Sequence, residues 1–304
     1  MMKTDRFYPL YSLLLLFLVA PVLAALAAPW IYQGLQSFAA EGSVLDAPFH
    51  RVTSRIVLVT VALLLYPAYK LSGIRSKAAC GLTGSPDRFK LVRLGLGLGI
   101  GSMLIVYLLG VALGVFVWDT GDKSSSYLVR KTLQALVGGL AIGIFEEILF
   151  RGFIHAALRK SLGTVAAVIL GSFFFSIVHF MRPVNPEVIN QWNSGFLLMG
   201  NLFARAGDSF LQEASTLFCM GLVLSVLCQW TKSVYIAIGL HAGWVWVMML
   251  FRIFTDNQNN LVWLYGTNEW VSKAWMGPIL SLIFLGAIWL TRTYWKRLPE
   301  TSNS

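Results

Sequence analysis

The chain has 304 residues, of which 57% are hydrophobic and 12% charged, with a net charge of +10. A mean hydropathy of +0.68 and a charge fraction about half that of soluble domains argue against a soluble fold. The positive residues lie in short loops between apolar blocks, a footprint of membrane orientation that also argues against a nucleic-acid binder.

Eight apolar blocks predict spans near 8–33, 52–71, 94–118, 132–158, 162–181, 211–229, 234–254 and 273–293. Each is close to the ~20 residues that cross a bilayer as a helix. The expected fold class is therefore all-α, a polytopic transmembrane helix bundle of about eight spans around a polar cavity, in one domain covering 1–304. The first block has a second reading as a signal peptide, with Lys3 and Arg6 before a leucine run and the small-residue pattern Ala25-Leu26-Ala27. Its length, and Trp30 and Tyr32 where an interface would fall, favour an uncleaved span.

The basic loop 70–93 reads first as an orientation signal and second as a place for anionic lipid. Gly95, Gly97, Gly99 and Gly101 follow no strand and precede no GK[ST], so they do not form a phosphate loop. Gly97 and Gly101, Gly110 and Gly114, and Gly139 and Gly143 are each four apart, the spacing that lets helix backbones approach closely. Segment 182–210 contains Pro183, Pro186, Trp192, Asn193 and Asn201 around the apolar patch GFLLMG, and reads as a loop, an interfacial segment or a re-entrant flap. Cys80, Cys219 and Cys228 form no CxxC pair, so neither a disulfide framework nor a cysteine metal site is expected.

With the N-terminus inside, 14 of the 24 Lys and Arg fall on inner segments, nine fall outside or near outer span ends, and Arg151 lies within a span. This bias predicts both termini in the cytoplasm.

Ionisable groups inside spans are costly and gather around cavities or each other. Here they are Glu146, Glu147 and Arg151 in the fourth span, His179 in the fifth and His241 in the seventh. At 100° per residue, Glu147 and Arg151 share a helix face in the order that favours an ion pair. Glu146 points about 100° away from Glu147. Glu147 is thus neutralised locally, while Glu146 is directed elsewhere and suits a general base. His155 reads as interfacial, near the inner end. One tension concerns depth: at ~1.5 Å per residue from the nearest inner cation, His241 lies about 13 Å in, Glu146 about 20 Å and His179 about 28 Å.

EEILFR fits EExxxR, FSIVH fits FxxxH, and HAGWV stands where an HxxxN motif would follow. The three, spread over about 138–251, resemble the CPBP family of intramembrane proteases, which includes type II CAAX prenyl endopeptidases and relatives linked to bacteriocin processing and immunity. The motif-bearing core spans about 132–254. The resemblance implies an intramembrane endopeptidase that cleaves a peptide or protein substrate at the lipid bilayer, in a bacterial inner (plasma) membrane. It implies Glu146 as general base for a water, His179 as an aid in orienting that water, and His241 as donor to the oxyanion. Glu147 and Arg151 would hold the fourth helix in place. No cofactor is expected; a zinc ion held by Glu146, His179 and His241 is the alternative.

The departure is Val245 in place of the motif's Asn. Valine donates no hydrogen bond, and losing one oxyanion donor typically costs about 10²–10³ in rate. Trp244, with its indole N–H about 100° away around the helix, is the nearest substitute; Asn193 and Asn201 are others. The alternative function is a catalytically silent relative that binds a peptide or membrane protein as an immunity or scaffold factor. A transporter also uses buried acids and imidazoles, but no inverted repeat is visible.

Overall fold

A computed structural model describes residues 7–40, 45–82, 87–180, 191–200, 209–258, 260–266 and 271–301. These residues are almost wholly helical, as the apolar blocks require, since a helix satisfies every backbone polar group within lipid. Six helices are long and apolar enough to cross a membrane: α1 (Tyr8–Gln36), α2 (Phe49–Leu71), α3 (Arg88–Ala112), α4 (Ser125–Leu162), α7 (Phe210–Thr231) and α8 (Tyr235–Phe254). The fifth and eighth predicted spans correspond to shorter apolar helices, α5 (Thr164–His179) and α10 (Met276–Leu290). The short α6 (Ser194–Gly200) and α9 (Val262–Tyr265) and the terminal α11 (Arg292–Thr301) complete the helices.

The third span was expected to run to residue 118, but α3 stops at Ala112. Gly114 turns the chain at a positive φ of 68°, and Phe116–Trp118 then forms a strand, β1. It pairs antiparallel with β2 (Thr255–Asn257), Phe116 opposite Asn257. The fourth helix is longer than expected, beginning where the Ser124 side chain accepts from the Tyr127 backbone N–H. Within it, Ile148–Ile154 is wound as a π-helix. Gly163, at a φ of 89°, makes the break before α5.

The chain divides into two compact units. One comprises Met1–Ile74, Lys160–Leu162 and Ile177–Asp208. Within it α1 packs on α2 and α6, with Ala28, Phe49 and Leu198 buried together and Tyr32 set edge-on to Phe49 at 5.3 Å. Lys160 donates to the Ser72 and Gly73 carbonyls at 3.0 and 2.8 Å, satisfying groups that α2 leaves open at its C-terminus. The GFLLMG patch is largely α6, and Asn193 lies just before it. Pro183, Pro186 and Asn201 lie outside the described residues.

The other unit comprises Arg75–Arg159, Gly163–Ser176 and Ser209–Ser304. Helix α8 is its centre, packed along α3 and α4. The approach is close because small residues meet. A Cβ on Gly95 or Gly99 would strike the Ile236 or Leu240 carbonyl, and one on Gly239 would strike that of Val92. On the other side, Gly139 and Gly143 meet the Ala242 and Ile238 carbonyls. The pairing of Gly139 with Gly143 follows the expected spacing. On α3, however, the working pair is Gly95 and Gly99; at Gly97 and Gly101 a Cβ would meet nothing within 4 Å. Tyr107 stacks on Phe251 at 4.3 Å, and the Tyr265 hydroxyl donates to the Val106 carbonyl at 3.2 Å.

Candidate functional site

The last α-helical residue before the π-helical stretch is Glu147, so the EExxxR motif straddles a change of helical pitch. Such π turns recur at functional sites. Glu147 is fully buried and Arg151 nearly so. Arg151 Nη1 donates to Glu147 Oε1 at 2.9 Å, the expected ion pair. Arg151 also reaches the Gly221 carbonyl on α7 at 3.5 Å, and its guanidinium lies 4.2 Å from the centre of the Phe175 ring. Phe175 stands perpendicular to Phe150 at 5.2 Å, so the cation is boxed by aromatic faces.

Glu147 holds a second partner that the spacing argument did not reveal. His241 Nδ1 lies 2.8 Å from the same Oε1. A carboxylate can only accept there, so Nδ1 carries the proton that fixes the ring. The opposite nitrogen, Nε2, then faces Glu146, with Oε2 at 4.0 Å. Glu146 is less enclosed, its side chain 24% exposed against 0% for Glu147. Phe175 packs edge-on to the imidazole at 6.0 Å between ring centres. Two acids, a guanidinium and an imidazole therefore converge from α4 and α8, with a phenylalanine of α5 against them.

Helix α8 can deliver His241 there because Gly139 and Gly143 of α4 let its backbone come close, a Cβ on either meeting the Ala242 or Ile238 carbonyl. The depth difference expected between His241 and Glu146 disappears, since their side chains are 4.0 Å apart.

The segment carrying these groups is similar to a known family. The family model described as type II CAAX prenyl endopeptidase, Rce1-like, matches residues 128–247.

This segment resembles the Rce1-like type II CAAX prenyl endopeptidases. The match runs from the start of α4 to the middle of α8 and so takes in all three motifs. It is a family of membrane proteases, in keeping with the helical membrane bundle described above. No curated protein and no solved structure matches the chain.

Other candidate residues in the matched segment are placed differently. His179 is the last residue of α5 and is grouped with the first compact unit. His155 is buried within the protein, with Nε2 3.3 Å from the Gln229 side-chain oxygen. Val245 is partly buried, one turn beyond His241 and beside Gly139. The Trp244 indole N–H donates to Ser102 Oγ at 3.0 Å, so it is already engaged away from the acids. Among the described residues, no group of three His, Cys, Asp or Glu side chains is placed to hold one metal ion.

Proposed function

We propose that the chain is an intramembrane endopeptidase acting on a peptide or protein at the bilayer, with Glu146, His241 and Glu147 as the core of its machinery. One observation carries this reading: Glu147 Oε1 holds both Arg151 and His241, which leaves His241 Nε2 directed at Glu146 across 4.0 Å. That gap is too long for a direct hydrogen bond. A water bonded to both at ~2.8 Å would close an angle near 90°, a workable position for a nucleophile.

In this mechanism Glu146 takes a proton from the water as its oxygen attacks the scissile carbonyl. His241, as an imidazolium, donates from Nε2 to the oxyanion that develops. Glu146 then returns its proton to the leaving amine, the C–N bond breaks, and acid and amine products result. With His241 charged, two carboxylates face two cations and the cluster sums to zero, the balance a low-dielectric interior favours. Arg151 positions Glu147, and Glu147 positions His241. For His179 the role of orienting the water rests on the family resemblance alone. No step is routed through a metal. The likeness to type II CAAX prenyl endopeptidases makes a CAAX-type peptide the first substrate to try. Both termini are taken as cytoplasmic from the loop charges, in the inner membrane of a bacterium.

The test is Glu146→Gln in the full chain reconstituted in vesicles, with prenylated and unprenylated CAAX peptides as substrates, with and without chelator. Turnover should fall to background in both conditions. Unchanged turnover would remove Glu146 as the base, and loss with chelator alone would bring zinc back.

A second reading, a silent relative that binds rather than cuts, draws on Val245 and on the commitment of Trp244 to Ser102. Val245→Asn separates the two. A rise in cleavage marks a weakened enzyme, and absence of cleavage in both forms marks a binding protein.

A further inference from the structure

Within the second unit a cavity of about 180 Å³ opens where two turns meet the end of α4. It is lined by the 3₁₀ turn Lys77–Cys80, by Arg151, His155 and Arg159 of α4, and by the end of α7 with the turn into α8. This is far above the ~10–15 Å³ of probe-occupied space that one water needs. The turns are stitched together: the Val234 N–H donates to the Gly81 carbonyl at 3.1 Å, and Arg159 Nη2 donates to the Ala79 carbonyl at 3.0 Å. Lys232 is held at the rim by a left-handed backbone conformation, with a φ of 51°, where it ends α7.

The lining has one sign of charge. Arg151, Arg159 and Lys232 contribute to it, and among the described residues neither Asp nor Glu does. Arg151 is neutralised by Glu147. Arg159 is partly buried, and among the described residues it bonds to a neutral carbonyl and neither it nor Lys232 has a carboxylate partner. The thiol of Cys80 does not supply the missing anion: burial pushes it up to about 11, although Arg159 pulls the other way. Neutral donors complete the lining. The Ser233 oxygen accepts from the Tyr235 N–H, which leaves its own proton to give. The Gln229 oxygen faces His155, which leaves its amide nitrogen free to point elsewhere.

We propose that this cavity binds a phosphate-type anion between Arg159 and Lys232, with Ser233 and Gln229 as further donors. The anion is either the headgroup of an anionic phospholipid or free phosphate, which share the chemistry the cavity reads. The proposal goes beyond the protease reading and does not depend on it, since Arg159 and Lys232 take no part in that chemistry.

The experiment uses the purified full chain in detergent and reads its thermal midpoint, because a ligand of the folded state raises it. Inorganic phosphate is titrated against chloride at matched ionic strength, and short-chain phosphatidylglycerol against short-chain phosphatidylcholine. A saturable rise with phosphate assigns a free-phosphate site. A rise with phosphatidylglycerol alone assigns a lipid headgroup. No rise with either overturns the proposal. In Arg159→Gln, which can still donate to Ala79, and in Lys232→Asn, since Asn tolerates a positive φ, affinity should weaken about tenfold or more. Unchanged affinity in both variants also overturns it. Cys80 lines the same cavity and gives a second readout in the unsubstituted chain. The bound anion should slow its modification by methyl methanethiolsulfonate, read at that peptide by mass, and a rate indifferent to the anion that raises the midpoint would place binding elsewhere.

Discussion

Replacing Glu147 by Gln distinguishes a helix-holding role from the double role the geometry gives it. The substitution keeps the shape and removes the charge. In the folded chain Glu147 is 0% exposed and its Oε1 receives Arg151 at 2.9 Å and His241 at 2.8 Å. Without the carboxylate, a buried guanidinium loses its counter-ion, and breaking such a pair from one side costs about 3–5 kcal/mol. Removing both partners costs less, because no charge is stranded. Glu147→Gln, Arg151→Met and the double variant should therefore form a strongly non-additive cycle, with the double variant more stable than the sum of the singles predicts by about 2 kcal/mol or more. The assay is unfolding of purified protein in mixed micelles, followed by circular dichroism and by proteolysis of the unfolded fraction. Glu146→Gln, at a side chain a quarter exposed, belongs in the same series and should cost clearly less than Glu147→Gln. Additive effects of Glu147 and Arg151, or equal costs for the two glutamates, would refute the assignment of Glu147 as the shared acceptor.

The remaining expectations concern other elements. Gly99→Val should destabilise by about 1–3 kcal/mol through collision with the Leu240 carbonyl, whereas Gly101→Ala should be neutral or slightly stabilising; the unfolding midpoints of the two compare them. Val245→Asn should raise cleavage by up to about 10²–10³-fold if an oxyanion donor is what the chain lacks, measured as kcat with saturating peptide. Trp244→Phe should lose the bond to Ser102 at a cost of about 1 kcal/mol and leave cleavage intact; a collapse of kcat without loss of stability would restore Trp244 as a donor. Since burial raises the Cys80 thiol to about 11, the thiolate fraction grows as pH rises toward that value, so its alkylation should still be accelerating above pH ~9; a plateau near the ordinary thiol value of ~8.5 would contradict it.

Much of the fold is legible in the apolar blocks, because length and hydropathy alone decide whether a helix can cross lipid. The end of the third span was not, because Phe116, Val117 and Trp118 are as apolar as a helix interior and only their partner, Thr255–Asn257, makes them a strand. The choice between Gly95/Gly99 and Gly97/Gly101 was hidden for a related reason: both pairs have the right spacing, and only the position of α8 selects one face. At the site, the Glu147–Arg151 pair follows from local periodicity. The Glu147–His241 bond joins residues 94 positions apart and leaves no periodic trace. Its one sequence signal is the adjacent pair of glutamates, too many acids for a single arginine. The π segment is equally silent, since ILFRGFI would suit an α-helix.

The glycine contacts that seat α8 have a mechanical consequence. His241 rides on a stretch with Gly239 and Gly243 on either side, where main chain lies against main chain with no pliable side chain between. A rod keyed in this manner resists sliding or rolling, so the imidazole behaves as a fixed anvil. Any breathing that lets a guest reach it must come from parts of the molecule that are not locked at that seam.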